Sequence, residues 1–137
     1  MTITYEHAMS VVHAATAAAA KDGHNIAAAV LDAGGNLVAF GRMDKAQLVT
    51  IDTAVGKAYT AVAIGAPSSV LHAASQPGAP LAGFQAMTMQ PHPLVPFAGG
   101  VPIAKDGVVI GALGVSGAAT SEQDEIIAHN ALSRNRE

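Results

Sequence analysis

The sequence predicts an α+β domain, an antiparallel sheet of about four or five strands with helices on its faces. Three observations carry this reading. Between Gly99 and Gly117 an Asp-Gly turn joins two apolar runs, a strong hairpin signal. A second pair of apolar runs, Ile26 to Leu31 and Asn36 to Phe40, is joined by Asp32-Ala33-Gly34-Gly35, a link short enough to require antiparallel pairing. Alanine-rich segments with helical periodicity stand before, between and after these hairpins.

The elements follow in order. A first helix is predicted over Tyr5 to Lys21, capped by the Thr4 hydroxyl and stopped by Gly23. Ala8, Val12, Ala15 and Ala19 form its apolar stripe. After the first hairpin, a second helix is predicted over Leu48 to Ile64, with Ile51, Val55, Ala58 and Val62 as its apolar stripe. Its other face holds Thr50, Ala54 and Ala61 around Lys57. Gly65 and Pro67 end it, and Ser68 or Ser69 caps a short helix through Ala74. From Gln76 to Pro96 repeated prolines break regular structure, with Phe84, Met87, Met89 and Phe97 apolar in or beside that stretch. The second hairpin has arms Val101 to Ala104 and Val108 to Val115, with Lys105-Asp106-Gly107 between them. Gly111 and Gly114 inside the second arm signal a bulge or the close approach of a helix, a subunit or a flat ligand. A last helix, Glu122 to Ser133, is predicted with Ser121 as its cap and Asp124 closing a capping box. No repeat or linker divides the 137 residues, which predicts one domain.

Composition narrows the function classes. Half of the chain is hydrophobic and only 12% is charged, against roughly 25% in an ordinary soluble domain. So apolar a chain of this size predicts a homo-oligomer. A net charge of −3 without a basic run argues against nucleic acid and anionic membranes as partners. There are no cysteines, which removes disulfides and thiolate ligands. No apolar run reaches membrane-span length and the first residues do not read as a signal peptide, so the expected location is the cytoplasm.

Few side chains are left to carry chemistry. Of the six histidines none are spaced i, i+4 as a helical zinc site requires. His92, between Pro91 and Pro93, is placed to aim an imidazole at a ligand, and His13 shares an apolar helix face with Met9, Thr16 and Ala20. Arg42 at a strand end, Asp44 beside it and Lys57 on a small-residue face make a candidate anion site. Asp124 and His92 are the candidate acid and base. Gly114-Val115-Ser116-Gly117-Ala118 departs from the nucleophile-elbow pattern at its last position, and the glycines do not fit a dinucleotide fingerprint.

Three blocks, AAAVLDAGGNLVAFGRMD, VGKAYTA and GGVPIAKDGVVIGALGVSGA followed by SEQDEIIA, together resemble the GlcG/HbpS-like family, which includes the C-terminal domain of PduO-type proteins. Lys45, Ala118 and Ala119 depart from the family's usual residues. The resemblance implies a profilin-like fold with a five-stranded antiparallel sheet between helices. It also implies dimer-based assemblies up to hexamers or octamers, with haem binding in some members and haem-degrading or redox-sensing accessory roles in some. An imidazole of His13 or His92 is then the axial ligand, His13 being the choice on chemistry and helix position, with Arg42 or Lys57 facing the propionates. A second reading is an enzyme acting on a small carboxylate or carbonyl metabolite near Gly111 and Gly114, at a subunit interface. A third is a non-catalytic accessory subunit.

Overall fold

The computed structural model describes residues 1–84 and 92–135. Helix α1 spans Tyr5–Lys21, strand β1 Ala27–Asp32, β2 Leu37–Arg42 and helix α2 Thr50–Ile64. A 3₁₀ turn, Ser68–Val70, runs into the single-turn helix α3, Leu71–Ala74. Strands β3 (Gly100–Lys105) and β4 (Val108–Ser116) lead to helix α4, Ser121–Arg134. The strands form one antiparallel sheet in the order β2-β1-β4-β3. Among the described residues the sheet therefore has four strands rather than five. Between α2 and β3 the described chain forms turns and short helical pieces, and its prolines limit ladder pairing. Met87 and Met89 lie outside the described residues.

Local chemistry explains the boundaries. The Thr4 hydroxyl accepts from the His7 N–H at 3.2 Å and opens α1. Asp106 and Gly107 both take positive φ, 52° and 77°, the backbone of a type I′ hairpin turn. Gly65 ends α2 in the left-handed conformation at φ 66°. At α4 the cap is Thr120 rather than Ser121: its hydroxyl accepts from the Gln123 N–H at 3.2 Å. Asp124, one residue too far along for the capping role, is thereby free to do something else.

Strand alternation sorts the core into two layers. Ala28, Val30, Leu113 and Val115 pack under α1 and α4, with Val11, Ala15 and Ile127. On the opposite face Ala27, Ala29, Leu31 and Ala112 meet Ala54, Ala58 and Ala61 of α2. The buried stripe of α2 is thus its small-residue face, not Ile51, Val55 and Val62, which are only half-buried. The reason is the surface it lies on. A Cβ built on Gly114 would strike the Ala54 carbonyl oxygen and come within 2.7 Å of the Ala58 nitrogen. At Gly114 helix and sheet lie flush, so around that point the two surfaces meet through methyl groups, with Leu31 the larger side chain beside them.

The contact sets an expectation. Gly114→Ala must push backbone against backbone, and we expect a loss of about 3 kcal/mol or more in denaturant unfolding. Gly65→Ala, strained only by its positive φ with nothing within 4 Å of the added methyl, costs about 1–2 kcal/mol. Equal losses would contradict the flush packing.

Candidate functional site

The buried charges of the molecule meet at one point. Lys57 projects from the sheet-facing side of α2, and its Nζ donates to Asp124 Oδ2 at 2.9 Å and to the Val115 carbonyl at 3.2 Å. The two side chains are 4% and 5% exposed. Asp124 stands in the first turns of α4, where the helix dipole favours a carboxylate, and its Oδ1 accepts from the Ala118 N–H at 2.8 Å. The pair thus ties together α2, the end of β4, the loop after it and the start of α4. The consecutive glycines Gly99 and Gly100, where β3 begins, close over it. A Cβ on Gly99 would lie 2.9 Å from Lys57 Cδ, and one on Gly100 would strike the Lys57 carbonyl.

Beside this clamp the Thr53 and Ser116 hydroxyls share a hydrogen bond of 2.6 Å. Ser116 is buried and held by Thr53, which removes it as an elbow nucleophile. Gly111 and Gly114 are also interior. Ile3 and the Leu31 carbonyl cover the first, and α2 covers the second, so within one chain neither offers its face to a ligand.

The remaining candidates are dispersed. Arg42 is exposed, and its Nη1 donates to the Ala46 carbonyl at 2.9 Å rather than pairing with exposed Asp44. His92 is half-buried, edge-on to Tyr59 with ring centroids 5.2 Å apart. Tyr59 and Lys57, two positions apart, leave α2 on opposite sides. The structure therefore brings Lys57 and Asp124 together and does not assemble Arg42, Lys57, His92 and Asp124 into one site. His13 is exposed on α1, and no hydrogen bond to its ring forms among the described residues. Within one turn on either side stand Met9, Ser10, Thr16 and Ala17, all uncharged. No group of three His, Cys, Asp or Glu side chains that could hold a metal ion occurs among the described residues. No helix among them is long and apolar enough to cross a membrane.

The hollows among the described residues include a smaller one and a more open one. One of about 300 Å³ lies between His7, Ile103, Lys105, Leu132 and Asn135. A more open groove of about 770 Å³ runs between Thr53, Ser75 and the Leu94 to Phe97 segment, which is held to α2 by the bond from the Val95 N–H to the Thr60 hydroxyl at 2.8 Å. The prolines mark this stretch in the sequence, but they carry no signal of its partner on α2. The missing signal was Gly56, which lets Val95 pack onto the helix.

These arrangements can be set beside known proteins. Residues 3–133 match the family model described as haem degrading protein HbpS-like. The chain belongs to the HbpS-like family. As an HbpS-like chain it is 40% identical over 131 residues to an uncharacterised 15.0 kDa protein of the dhaT-dhaS intergenic region of Citrobacter freundii, covering 96% of this chain and 90% of that one. Its fold matches the crystal structure of Klebsiella pneumoniae protein ORFY with a TM-score of 0.90 at 33% identity, over 97% of this chain and 90% of that chain. It matches the crystal structure of a PduOC:heme complex with a TM-score of 0.89 at 32% identity, over 97% of this chain and 94% of that chain. The resemblance carried by the three sequence blocks is thereby shown.

The buried pair predicts a large effect of removing one partner. Lys57→Ala leaves the Asp124 carboxylate desolvated without its cation, and we expect a loss of about 3–5 kcal/mol in denaturant unfolding. A change under about 1 kcal/mol, the range of a surface pair, would show that the two charges are solvated.

Proposed function

We propose that this HbpS-like chain is a haem-binding protein that works as a homo-oligomer, with His13 supplying an axial imidazole. The observation that carries the reading is the likeness over nearly the whole chain to the PduOC:heme complex. The residues present fit the group in one respect that can be checked on this fold. His13 is an exposed imidazole whose ring makes no hydrogen bond among the described residues, on a helix face uncharged for a turn either way. Neutral imidazole is a common axial ligand of haem iron, and this chain has no thiolate to compete. Haem, when bound, would supply an iron centre for redox or ligand chemistry. His13 would hold the iron, and Met9 and Ala17 would offer small or flexible apolar contact beside it. His92, packed against Tyr59, is the other imidazole to be tested.

Self-association is part of the proposal. Leu48 is 78% exposed, Val49 60% and Ile126 56%, which is much apolar surface for a small chain. A second copy over α1 would also shield a haem that one copy leaves open to water. The alternative of a small-carboxylate enzyme loses support because Lys57 and Asp124 are occupied with each other and Arg42 with Ala46.

A hemin titration followed in the Soret region tests this. Wild type and His92→Ala should show a saturable band at stoichiometric hemin, and His13→Ala should weaken binding at least tenfold. A weak band that neither substitution changes would mark non-specific uptake and end the proposal.

A further inference from the structure

The sheet has two edges, and they are unlike. The β3 edge carries Pro102, which has no N–H to offer, and ends in Lys105. Proline and lysine are common means of keeping an edge from pairing with another chain. The β2 edge, Leu-Val-Ala-Phe-Gly-Arg from Leu37–Arg42, has neither. Its one irregularity is a bulge at the start, where Val30 opposes Ala39 but Leu31 opposes Leu37, leaving Val38 extra. The bulge turns that end aside and leaves the stretch from Ala39 to Arg42 regular.

The ladder shows which backbone groups of that stretch lack a partner among the described residues. The Met43 N–H donates to the Ile26 carbonyl at 2.9 Å, so Ile26 and Met43 are a hydrogen-bonded pair. Bonded and non-bonded pairs alternate along an antiparallel ladder. By the register, Ala28 and Gly41 are then bonded, while Ala27 and Arg42, and Ala29 and Phe40, are not. At the other end the Asp32 N–H donates to the Asn36 carbonyl at 2.9 Å, and the count agrees once the bulge is included. The N–H and C=O of Phe40 and of Arg42 therefore point outward from β1, away from the rest of the sheet.

We infer that β2 pairs edge to edge with β2 of a second copy of this chain, antiparallel about a two-fold axis at Gly41. In this register Phe40 exchanges both backbone hydrogen bonds with the partner's Arg42, and Arg42 does so with the partner's Phe40. The two copies of Gly41 face each other as the non-bonded pair, where Cα atoms approach to about 4.5 Å. A glycine there removes any side-chain crowding at the axis. Phe40 and Arg42 lie on the same sheet face, so each Arg42 side chain comes beside the ring across the axis while its Nη1 keeps the bond to the Ala46 carbonyl of its own chain. A second copy is the fitting occupant because an antiparallel edge paired about a two-fold is complementary to itself. This inference rests on the self-association proposed above and specifies the surface that makes it.

Hydrogen exchange of the full wild-type chain, with its mass measured by light scattering, tests the pairing. In the assembled chain the Phe40 and Arg42 amides should exchange at least about 100-fold more slowly than unpaired amides. Arg42→Pro deletes an N–H that the single chain does not use, so the variant should fold and assemble to a smaller mass, whereas Arg42→Ala keeps the N–H and the wild-type mass. An assembled wild type whose Phe40 and Arg42 amides exchange freely overturns the edge pairing and leaves self-association standing. A folded Arg42→Pro chain of wild-type mass overturns it likewise. A monomeric wild type overturns both. Should Arg42→Pro not fold, the wild-type exchange rates decide alone.

Discussion

Helix α2 can lie flush on the sheet because, at the point of closest approach, the two surfaces meet through alanine methyls and a glycine, with Leu31 the larger side chain beside them. Ala54, Ala58 and Ala61 meet Ala27, Ala29 and Ala112, and Gly114 admits the helix backbone itself. That closeness carries Lys57 inside, since a side chain on this face has no route outward except along the helix. A buried ammonium needs an anion and further acceptors, or it costs several kcal/mol. Asp124 and the Val115 carbonyl supply them. The small-residue face and the buried ion pair are thus one constraint, and the glycines at 99 and 100 belong to it because the strand entering β3 must pass over the lysine.

The same constraint explains what could be read from the residues and what could not. The hairpin at Asp106-Gly107 and the cap at Thr4 are local devices, written in neighbouring residues, and the structure reproduces both. The buried face of α2 is not local. Hydrophobic size selects Ile51, Val55 and Val62, but the face that packs is chosen by the sheet opposite, which is alanine and glycine. The union of Lys57 with Asp124 spans 67 residues and has no signature in either segment. Lys57 as a rare cation suggests an anion site and Asp124 a candidate acid or base, and neither segment names the other. Their partner was instead each other. Hairpin turns and helical periodicity placed the α+β architecture and the resemblance placed the family, while the strand count rests on pairings between distant segments.

A chain with so few charges that spends two of them on its interior leaves little polar chemistry for catalysis. What remains outside is an imidazole on α1, a half-buried imidazole beside Tyr59, an apolar groove along α2 and an unblocked sheet edge. These features suit a flat apolar ligand and a second copy of the chain better than a small anionic substrate. The proposed haem site and the proposed edge pairing both lie away from the clamp, which does its work within one subunit.

The central claim is that the buried charges hold the fold while ligand chemistry lies outside them. The most direct test neutralises the pair as a unit, Lys57→Met with Asp124→Asn, where the asparagine keeps an acceptor for the Ala118 N–H. Hemin is then titrated into the folded double variant. The account predicts a saturable Soret band with an affinity within about twofold of wild type. A folded double variant that has lost the band would place Lys57 and Asp124 in the ligand site and contradict the account.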